Sequence, residues 1–473
     1  MLKPNFIYEW KLLIRSKWLQ LLTILLVLLF GFATNNGLQR VEKRNSVIAF
    51  AQDEVAEADA VMFSLLDSLE KGLPVSLRSS QLPTNPMVVG NSYPRLAAMP
   101  PNDFTFVATG QSDMFSHYKT PKVSRGKIIE DFTEMTSPVQ LLFGNFDLGF
   151  VIVYLLPLLI VAFSYNVLSS EKESGILKLL ASQPIGIRNW VLHKLLIRFS
   201  LLSVLVLVSL LAVLLLLGAS PFSKIGSLFT LFGLILAYML FWFALAFLVN
   251  LWVGSSAKNA VAMLGLWIGF VLLIPSVLNQ LGTAIYPMPS RTLMINDLRE
   301  MQADITKRQD KILDNYLRDH PEYAVNDSSQ TRNFWHGYMA SQNLLRKEIA
   351  PVVNRYNEQL ENQQKWINKF KWLSPAVTLQ ESLNKLSGTA STDYENYRQQ
   401  VLVFSEQWRA YFMPMLYNNT DFEKESYNEL PKFIYKQKQY HYSASFVILM
   451  ISLMLFGVGF VSSRARSNYT IVK

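Results

Sequence analysis

The residues that most often carry metal or nucleophilic chemistry are few and scattered in this chain. No cysteine occurs, which excludes disulfides, thiolate zinc sites and cysteine nucleophiles. The five histidines are His117, His193, His320, His336 and His441. None stands four residues from another, and no His-Glu-x-x-His or Gly-x-Ser-x-Gly motif occurs. We therefore interpret them as scattered surface histidines and predict no catalytic residue, metal site or cofactor site.

The chain also lacks the sequence motif for nucleotide hydrolysis. No Gly-x-x-x-x-Gly-Lys-Ser/Thr loop is present, so the chain has no phosphate-cradling loop and is not expected to be an enzyme. The long apolar stretches carry almost no charge, whereas a proton- or sodium-coupled carrier generally needs carboxylates there. Asp147 stands only at the edge of one such stretch. If the protein moves something, the energy is expected to come from a partner.

The composition indicates a membrane protein. Hydrophobic residues make up 51% of the 473 residues and charged residues only 17%, against about 25% charged residues in soluble proteins. The apolar residues are clumped into long runs, which predicts an all-α protein that crosses the membrane several times. In such a protein the net charge of +9 is better explained by a basic cytoplasmic side than by a nucleic-acid partner.

Six apolar runs are long enough to be membrane spans. They are residues 19–34, 148–168, 190–217, 228–253, 260–281 and 443–462. A cleavable signal peptide is the alternative for the first run, but no Ala-x-Ala cleavage site follows it, and we interpret it as a retained span. Pro157 and Pro275 lie within the second and fifth spans and predict bends there.

Short basic segments set the expected orientation. They precede the first span, separate the second from the third and the fourth from the fifth, and follow the sixth, so all fall on one side. The positive-inside rule places both termini, including residues 1–18 and 463–473, in the cytoplasm together with the loop 169–189. Two large regions, residues 35–147 and 282–442, are then extracytoplasmic.

The first extracytoplasmic region is expected to begin as a helix. Apolar residues recur every three or four positions from Arg40 to Lys71, which predicts that an amphipathic helix continues the first span outward. Seven prolines then interrupt any periodicity between residues 74 and 121 and indicate an ordered connector. In the second region, the pattern of residues 291–318 predicts one helix. A near-heptad apolar stripe from Leu345 to Phe370 predicts a helical hairpin core.

The cytoplasmic loop 169–189 contains the most informative segment. Glu171 and Glu173 precede a short helix that Pro184 is expected to end. One side of this helix carries Ile176, Leu177, Leu179 and Leu180. Such a helix either lies in the lipid interface or fills a groove on another protein, and amphipathicity alone does not choose between the two.

These residues also carry a resemblance to a known family. The run Glu171-Lys172-Glu173-Ser174-Gly175-Ile176-Leu177, followed by Gln183-Pro184-Ile185, resembles the signature of type-2 ABC exporter permeases. That family usually has threonine where Ile176 stands. Further segments resemble a narrower branch with a large extracytoplasmic domain of unknown function. They are Ala108 to Asp113, Asn145 to Leu148, Leu373 to Ala376 and Leu383 to Thr389.

The resemblance implies a fold, partners and functional residues. The fold would be a type-2 ABC exporter permease with a mostly helical extracytoplasmic domain, in a bacterial cytoplasmic (inner) membrane. Two permeases, identical or sister chains, would assemble with a dimer of ABC ATPases that binds ATP and Mg. The expected ATPase-coupling residues are Glu171, Lys172, Glu173, Gly175, Ile176, Leu177, Leu180 and Pro184.

The resemblance also assigns an amphipathic connector helix to residues 9–18. The residues themselves agree, because one apolar face with basic neighbours suits the inner membrane surface. That face consists of Trp10, Leu13, Ile14 and Trp18.

The sequence thus favours the permease subunit of an ATP-driven exporter that works by alternating access. One alternative is transmission of ATPase motion to an extracytoplasmic partner without transport, and another is a receptor or scaffold that needs no ATPase. A membrane enzyme is the least favoured class.

Overall fold

The computed structural model describes most of the chain. The described residues are 10–11, 15, 17–110, 112, 115–124, 146–177, 186–287, 296, 299–301, 303–304, 307, 318, 334–440 and 443–470. Most of the helix predicted for residues 291–318 lies outside them. Six described helical segments are long and apolar enough to cross a membrane, as in a multi-pass membrane protein. They contain or overlap all six predicted spans, so the number of candidate spans agrees with the prediction.

Helices account for most of the described structure. Helix α1 is Lys17–Glu70, α2 is Pro86–Ser92, α3 is Leu148–Phe150, α4 is Leu156–Ser164, α5 is Ser169–Glu173, α6 is Ile187–Leu216, α7 is Ile225–Trp252, α8 is Ser256–Trp267, α9 is Ile274–Ile285, α10 is Phe334–Phe370, α11 is Pro375–Ser387, α12 is Ser391–Asn418 and α13 is Ala444–Thr470. Strands β1, Ala97–Ala98, and β2, Tyr118–Lys119, pair antiparallel, with Ala97 opposite Lys119. The fold is therefore mostly helical, with one minimal two-stranded sheet that the all-α prediction did not include.

Helix α1 joins two separate cores. It runs unbroken for 54 residues, which makes it about 80 Å long, so the helical continuation predicted beyond the first span is confirmed. Near its start, Leu26 and Phe30 pack in the large core that the spans share. Near its end, Met62 and Leu66 pack with Trp408 in a second core that also contains α2 and α12 residues. One continuous helix thus links the bundle to the domain beyond it.

The second span begins at a buried carboxylate. Asp147 accepts hydrogen bonds from Thr109 N and Phe150 N, each at 2.8 Å, and so caps the helix that follows. Arg40 on α1 donates to Thr109 Oγ1 at 2.7 Å. We call this end of the bundle the Asp147 end, and the opposite end, where α5 lies, the Glu173 end. Asp147 has a structural role as a helix cap.

Both proline-containing spans carry a π-helical segment that ends two residues before the proline. Val151–Leu155 precedes Pro157, and Ile268–Leu273 precedes Pro275. Proline has no N–H to donate, which leaves carbonyls in the preceding turn without their helical partners. Side chains replace the missing donors: Tyr238 OH donates to Val153 O at 3.0 Å and Trp267 Nε1 to Tyr154 O at 3.1 Å.

In the fifth span the replacement donor comes from outside the spans. Ser374 Oγ donates to Phe270 O at 2.6 Å and also accepts from Val377 N at the start of α11. Helix α11 packs against α7, α13 and both π-helical segments. Its residues Ala376, Leu379 and Leu383 belong to the same core as the spans. The region expected to form an extracytoplasmic domain therefore contributes one helix directly to the bundle.

Loss of the Ser374 hydroxyl is expected to destabilise this junction. Ser374→Ala leaves Phe270 O without a donor and removes the cap of α11, so we expect the free energy of unfolding to fall by about 2 kcal/mol. The matched control is Ser382→Ala, also on α11. Ser382 is buried, but its hydroxyl donates only to Thr378 O one turn earlier. Thermal unfolding in detergent compares the two variants, and equal losses would contradict the assignment.

Candidate functional site

The segment from Ser164 to Leu177 forms the Glu173 end of the second span. Helix α4 ends at Ser164, a turn leads into the short helix α5, and Ser174 follows its last residue. Gly175 has φ +77°, a left-handed conformation that glycine adopts without steric cost. Ile176 and Leu177 resume helical geometry, and residues 178–185 lie outside the described part of the chain. The glycine therefore separates α5 from the start of a second helical segment.

Glu171 ties α5 to the third span. Lys194 Nζ donates to Glu171 Oε1 at 2.6 Å, and both side chains are largely shielded from solvent. The same ammonium lies 4.3 Å from the centroid of the Trp190 ring, which adds a cation–π contact. An ion pair that is mostly removed from water is held more firmly than an exposed one. The first acid of the predicted coupling motif therefore contacts its own chain.

Glu173 ties α5 to the fifth span. Its carboxylate accepts from Ser256 N and from Ser256 Oγ, both at 2.8 Å, at the first residue of α8. A carboxylate at a helix N-terminus satisfies an unpaired N–H and interacts favourably with the helix dipole. Ser256 Oγ also lies 2.9 Å from Ser169 Oγ, the first residue of α5. Both ends of α5 are thus bonded to the start of the fifth span.

Two buried asparagines extend these contacts into the bundle. Asn250, near the end of α7, donates to Ser164 O at 2.9 Å and accepts from Leu168 N at 3.1 Å. Asn259 on α8 donates to Tyr165 O at 2.8 Å and lies 3.4 Å from Asn250 Oδ1. Both side chains are buried. The chain between α4 and α5 is therefore held by amides from the fourth and fifth spans.

The structure separates the predicted coupling residues into two groups. Glu171 and Glu173 bond within the chain, and Lys172 lies beside Gly254, at the turn between α7 and α8. Ile176, in contrast, is 46% exposed and Leu177 is half-buried. Leu180 and Pro184 lie outside the described residues. Residues 172–176 are all exposed, so the surface available to a partner includes Lys172 and Glu173 as well as Gly175 and Ile176.

The connector helix is described only in part. Trp10 is half-buried and packs against a small cluster formed by Leu19, Ile197 and Leu201, which joins the first and third spans. Leu13 and Ile14 lie outside the described residues, and the side chain of Trp18 is not described either. The predicted interfacial face is therefore represented by Trp10 alone.

Sequence reasoning missed the amides and hydroxyls that complete this site. Asn250, Asn259, Ser169 and Ser256 carry no charge, so a search for intramembrane carboxylates passed over them. A signal was nevertheless present, because an asparagine within an apolar helix is costly unless it finds a partner. Asn250 lies near the end of the fourth span and Asn259 near the start of the fifth. Because a short turn joins these two spans, both asparagines lie at the same end of the bundle.

A second polar cluster lies where α12 begins. Asp393 accepts from Ala390 N at 3.1 Å and from Tyr440 OH at 2.8 Å, while Tyr440 OH also lies 2.8 Å from Thr392 Oγ1. Burial raises the pKa of Asp393 to about 6, and these hydrogen bonds, with Lys438 and Lys385 nearby, only partly offset it. Tyr440 precedes the sixth span, so this cluster attaches that span to α12.

The raised pKa of Asp393 predicts a pH dependence of stability. The pKa rises from 3.8 in the unfolded chain to about 6 in the folded one, so the folded protein binds the proton more tightly. The stabilising contribution of the protonated carboxyl is complete below pH 3.8 and is lost as the pH rises through about 6. We expect Asp393→Asn to remove this slope, measured as the melting temperature at several pH values. An unchanged slope would contradict the assignment.

Comparison with known proteins gives one match. Residues 291–436 match the family described as "Domain of unknown function (DUF3526)". The matched region includes α10, α11, α12 and the connections between them. No curated protein and no solved structure matches the chain. Among the described residues, no group of three or more histidine, aspartate or glutamate side chains is arranged to hold a metal ion.

Proposed function

We propose that this chain is the membrane-spanning permease subunit of an ATP-driven ABC transporter that exports a substrate by alternating access. ATP and Mg are bound by a separate ATPase dimer, which docks at α5 and the residues after Gly175. The observation that supports this most is that α5 and the turn before it are bonded to three further spans. Glu171 forms a shielded ion pair with the third span, and the exposed Glu173 carboxylate bonds to the start of the fifth. Buried Asn250 of the fourth span bonds to Ser164 O and Leu168 N.

The contacts define how a movement of α5 would reach the spans. Displacing α5 pulls Lys194 on the third span through Glu171, and Ser256 on the fifth span through Glu173. The hydrogen bonds from Asn250 to the turn before α5 would carry the same displacement to the fourth span. Asn259 Oδ1 is buried without a hydrogen-bond partner among the described residues. A second arrangement of the spans that gave this acceptor a partner would be stabilised by that bond, and a docked ATPase would shift the population between the two states.

The proposal also sets orientation and assembly. The Glu173 end faces the cytoplasm, because Lys11, Arg15, Lys194 and Arg198 lie on that side and basic residues are retained there. The host membrane is a bacterial inner membrane, and a second permease, identical or related, completes the transporter. These assignments follow from the resemblance and the charge pattern together.

The missing cysteines permit a direct test of the docking surface. A single Ile176→Cys in the cysteine-free chain, cross-linked in native membranes, should capture a protein that hydrolyses ATP. The isolated complex should show ATPase activity that vanadate inhibits, and Ile176→Asp should abolish co-purification. Ile176 contributes little to the fold because its side chain is 46% exposed, so the variant should remain folded.

A cysteine at the opposite end of the bundle is the matched control. Asn279 is exposed on α9 at the Asp147 end, and Asn279→Cys should not capture the same protein. The proposal fails if the protein captured at residue 176 does not hydrolyse ATP, or if Ile176→Asp leaves the complex intact.

A second function is favoured by one specific observation. Helix α1 connects the span core to the second core without a break, so it could transmit ATPase motion to an extracytoplasmic partner with no substrate crossing. Sealed vesicles distinguish the two functions. Under this alternative, ATP would drive a change in the distance between labels on α12 and the membrane, while no candidate substrate would accumulate.

A further inference from the structure

A polar cavity opens at the Asp147 end, away from the site described above. Its volume is about 300 Å³, and four separate stretches of chain meet around it. The polar lining is formed by Asn102, Asp103, Lys224, Ser227 and the consecutive residues Gln437, Lys438, Gln439 and Tyr440. Phe104 and Leu386, both buried, lie beneath it. The cavity therefore has an apolar floor and walls that carry two ammonium groups, one carboxylate and three amides.

The charges around the cavity favour an anion. Lys224 has one close carboxylate, Asp103 at 3.4 Å, and both side chains are about half exposed. Exposed pairs of this kind are weak and exchange partners readily. Lys438 lies 5.9 Å from the centroid of the Tyr440 ring. Two further carboxyls lie near this lining. Glu381 is paired with Lys371 and Lys385. Asp393 accepts a hydrogen bond from Tyr440 OH and is also close enough to Lys438 for that ammonium to lower its pKa.

The edge of the cavity continues into a strongly apolar surface. Lys224 and Ser227 flank the start of α7, the fourth span, and Tyr440 leads into α13, the sixth. These two spans pack closely, with Gly233 facing Ser445. Phe229 is 69% exposed and Phe446 is 65% exposed, one on each of these helices near that contact. The polar cavity thus lies at the end of an apolar helical surface on which lipid acyl chains can pack.

We infer that this cavity binds the phosphate-bearing head group of an anionic phospholipid, whose acyl chains lie along the exposed faces of α7 and α13. Lys224 and Lys438 pair with the phosphate, and the amides of Asn102 and Gln437 donate to its oxygens or to the polar groups it carries. Ligand pockets commonly range from about 300 to 1,000 Å³, so a cavity at the lower limit admits a head group and excludes the chains.

Lipid binding in this cavity does not depend on the proposed ATPase partner, because the cavity lies at the opposite end of the bundle. An anionic lipid held there would join the loop around Asn102, the start of α7 and the connection into α13. The proposed permease function could therefore fail while the lipid site remains, and the reverse is equally testable.

Native mass spectrometry of the full-length protein in a neutral detergent tests the site. The probe is dioleoylphosphatidylglycerol, compared with dioleoylphosphatidylcholine and with inorganic phosphate. The variant Lys224→Gln/Lys438→Gln should bind phosphatidylglycerol roughly thirtyfold more weakly, since each lysine near an anionic lipid contributes about a fivefold gain in affinity. Lys347→Gln/Lys365→Gln is the matched control, because it removes equal charge from exposed positions on α10.

Further outcomes separate a lipid from a simple ion. Phe229→Ser should weaken phosphatidylglycerol binding and leave phosphate binding unchanged, because Phe229 contacts only the chains. Unaltered lipid binding by the Lys224/Lys438 variant overturns the inference. So does equal affinity for phosphatidylcholine, which shows that the site does not select anionic lipids. Inorganic phosphate that binds as tightly as the lipid identifies an ion site and overturns the lipid assignment.

Discussion

Replacing Asn250 with leucine is expected to lower the free energy of unfolding by about 3 kcal/mol, because the change removes the amide that bonds to Leu168 N and to the buried Ser164 O. Leucine has a similar size, so the loss reflects hydrogen bonding more than packing. We also expect faster amide hydrogen exchange in the segment from Ser164 to Glu173. Thermal unfolding in detergent and hydrogen exchange measure the two effects.

Asn279→Leu is the control for this prediction. Asn279 also lies on an apolar helical segment, but its side chain is exposed, so its replacement should leave both stability and exchange unchanged. Equal stability of the two variants would show that the Asn250 bonds contribute little. If Asn250→Leu were destabilised without faster exchange in the segment, the asparagine would stabilise the bundle without holding α5.

The Asn250 variant also bears on the proposed function. If α5 receives the motion of an ATPase, Asn250→Leu should retain the docked partner, because Ile176 and the surface after Gly175 are unchanged. ATP hydrolysis should then continue while transport falls. Loss of the partner together with transport would indicate that Asn250 shapes the docking surface itself.

Gly37→Ala is expected to destabilise the protein by about 3 kcal/mol, the upper range for overpacking in a close-packed core. A Cβ at this position would lie 2.1 Å from Phe106 O and 2.9 Å from Phe106 C. These are backbone atoms, which cannot rotate away. The segment around Phe106 is also held to α1 on both sides, by Arg44 through Met99 O and by Arg40 through Thr109.

Gly31→Ala on the same helix provides a control of opposite sign. No atom lies within 4 Å of a Cβ built at Gly31, and alanine favours a helix over glycine by about 1 kcal/mol. Gly31→Ala should therefore be neutral or stabilising, measured by the same unfolding experiment. If both variants were stabilised, the close approach of α1 to Phe106 would be wrong.

Local sequence pattern determined the membrane-spanning part of this protein. A run of about 20 apolar residues has few alternatives to a spanning helix, because the hydrocarbon must be crossed with every backbone group bonded. The six spans follow from that requirement, and so does the helical extension of the first span, whose apolar residues keep the helical period. Pro157 and Pro275 marked the irregular turns for the same local reason: a missing N–H.

The tertiary structure decided the contacts between segments that are far apart in the chain. The acids at Glu171 and Glu173 were expected to serve a partner. Their engagement with Lys194 and Ser256 depends on how the third and fifth spans pack beside the second, which no local pattern specifies. The same is true of Ser374, whose hydroxyl reaches Phe270 across 104 residues. Helical period reports which face of one helix is apolar, whereas the identity of the neighbour on that face is settled only when all the spans pack together.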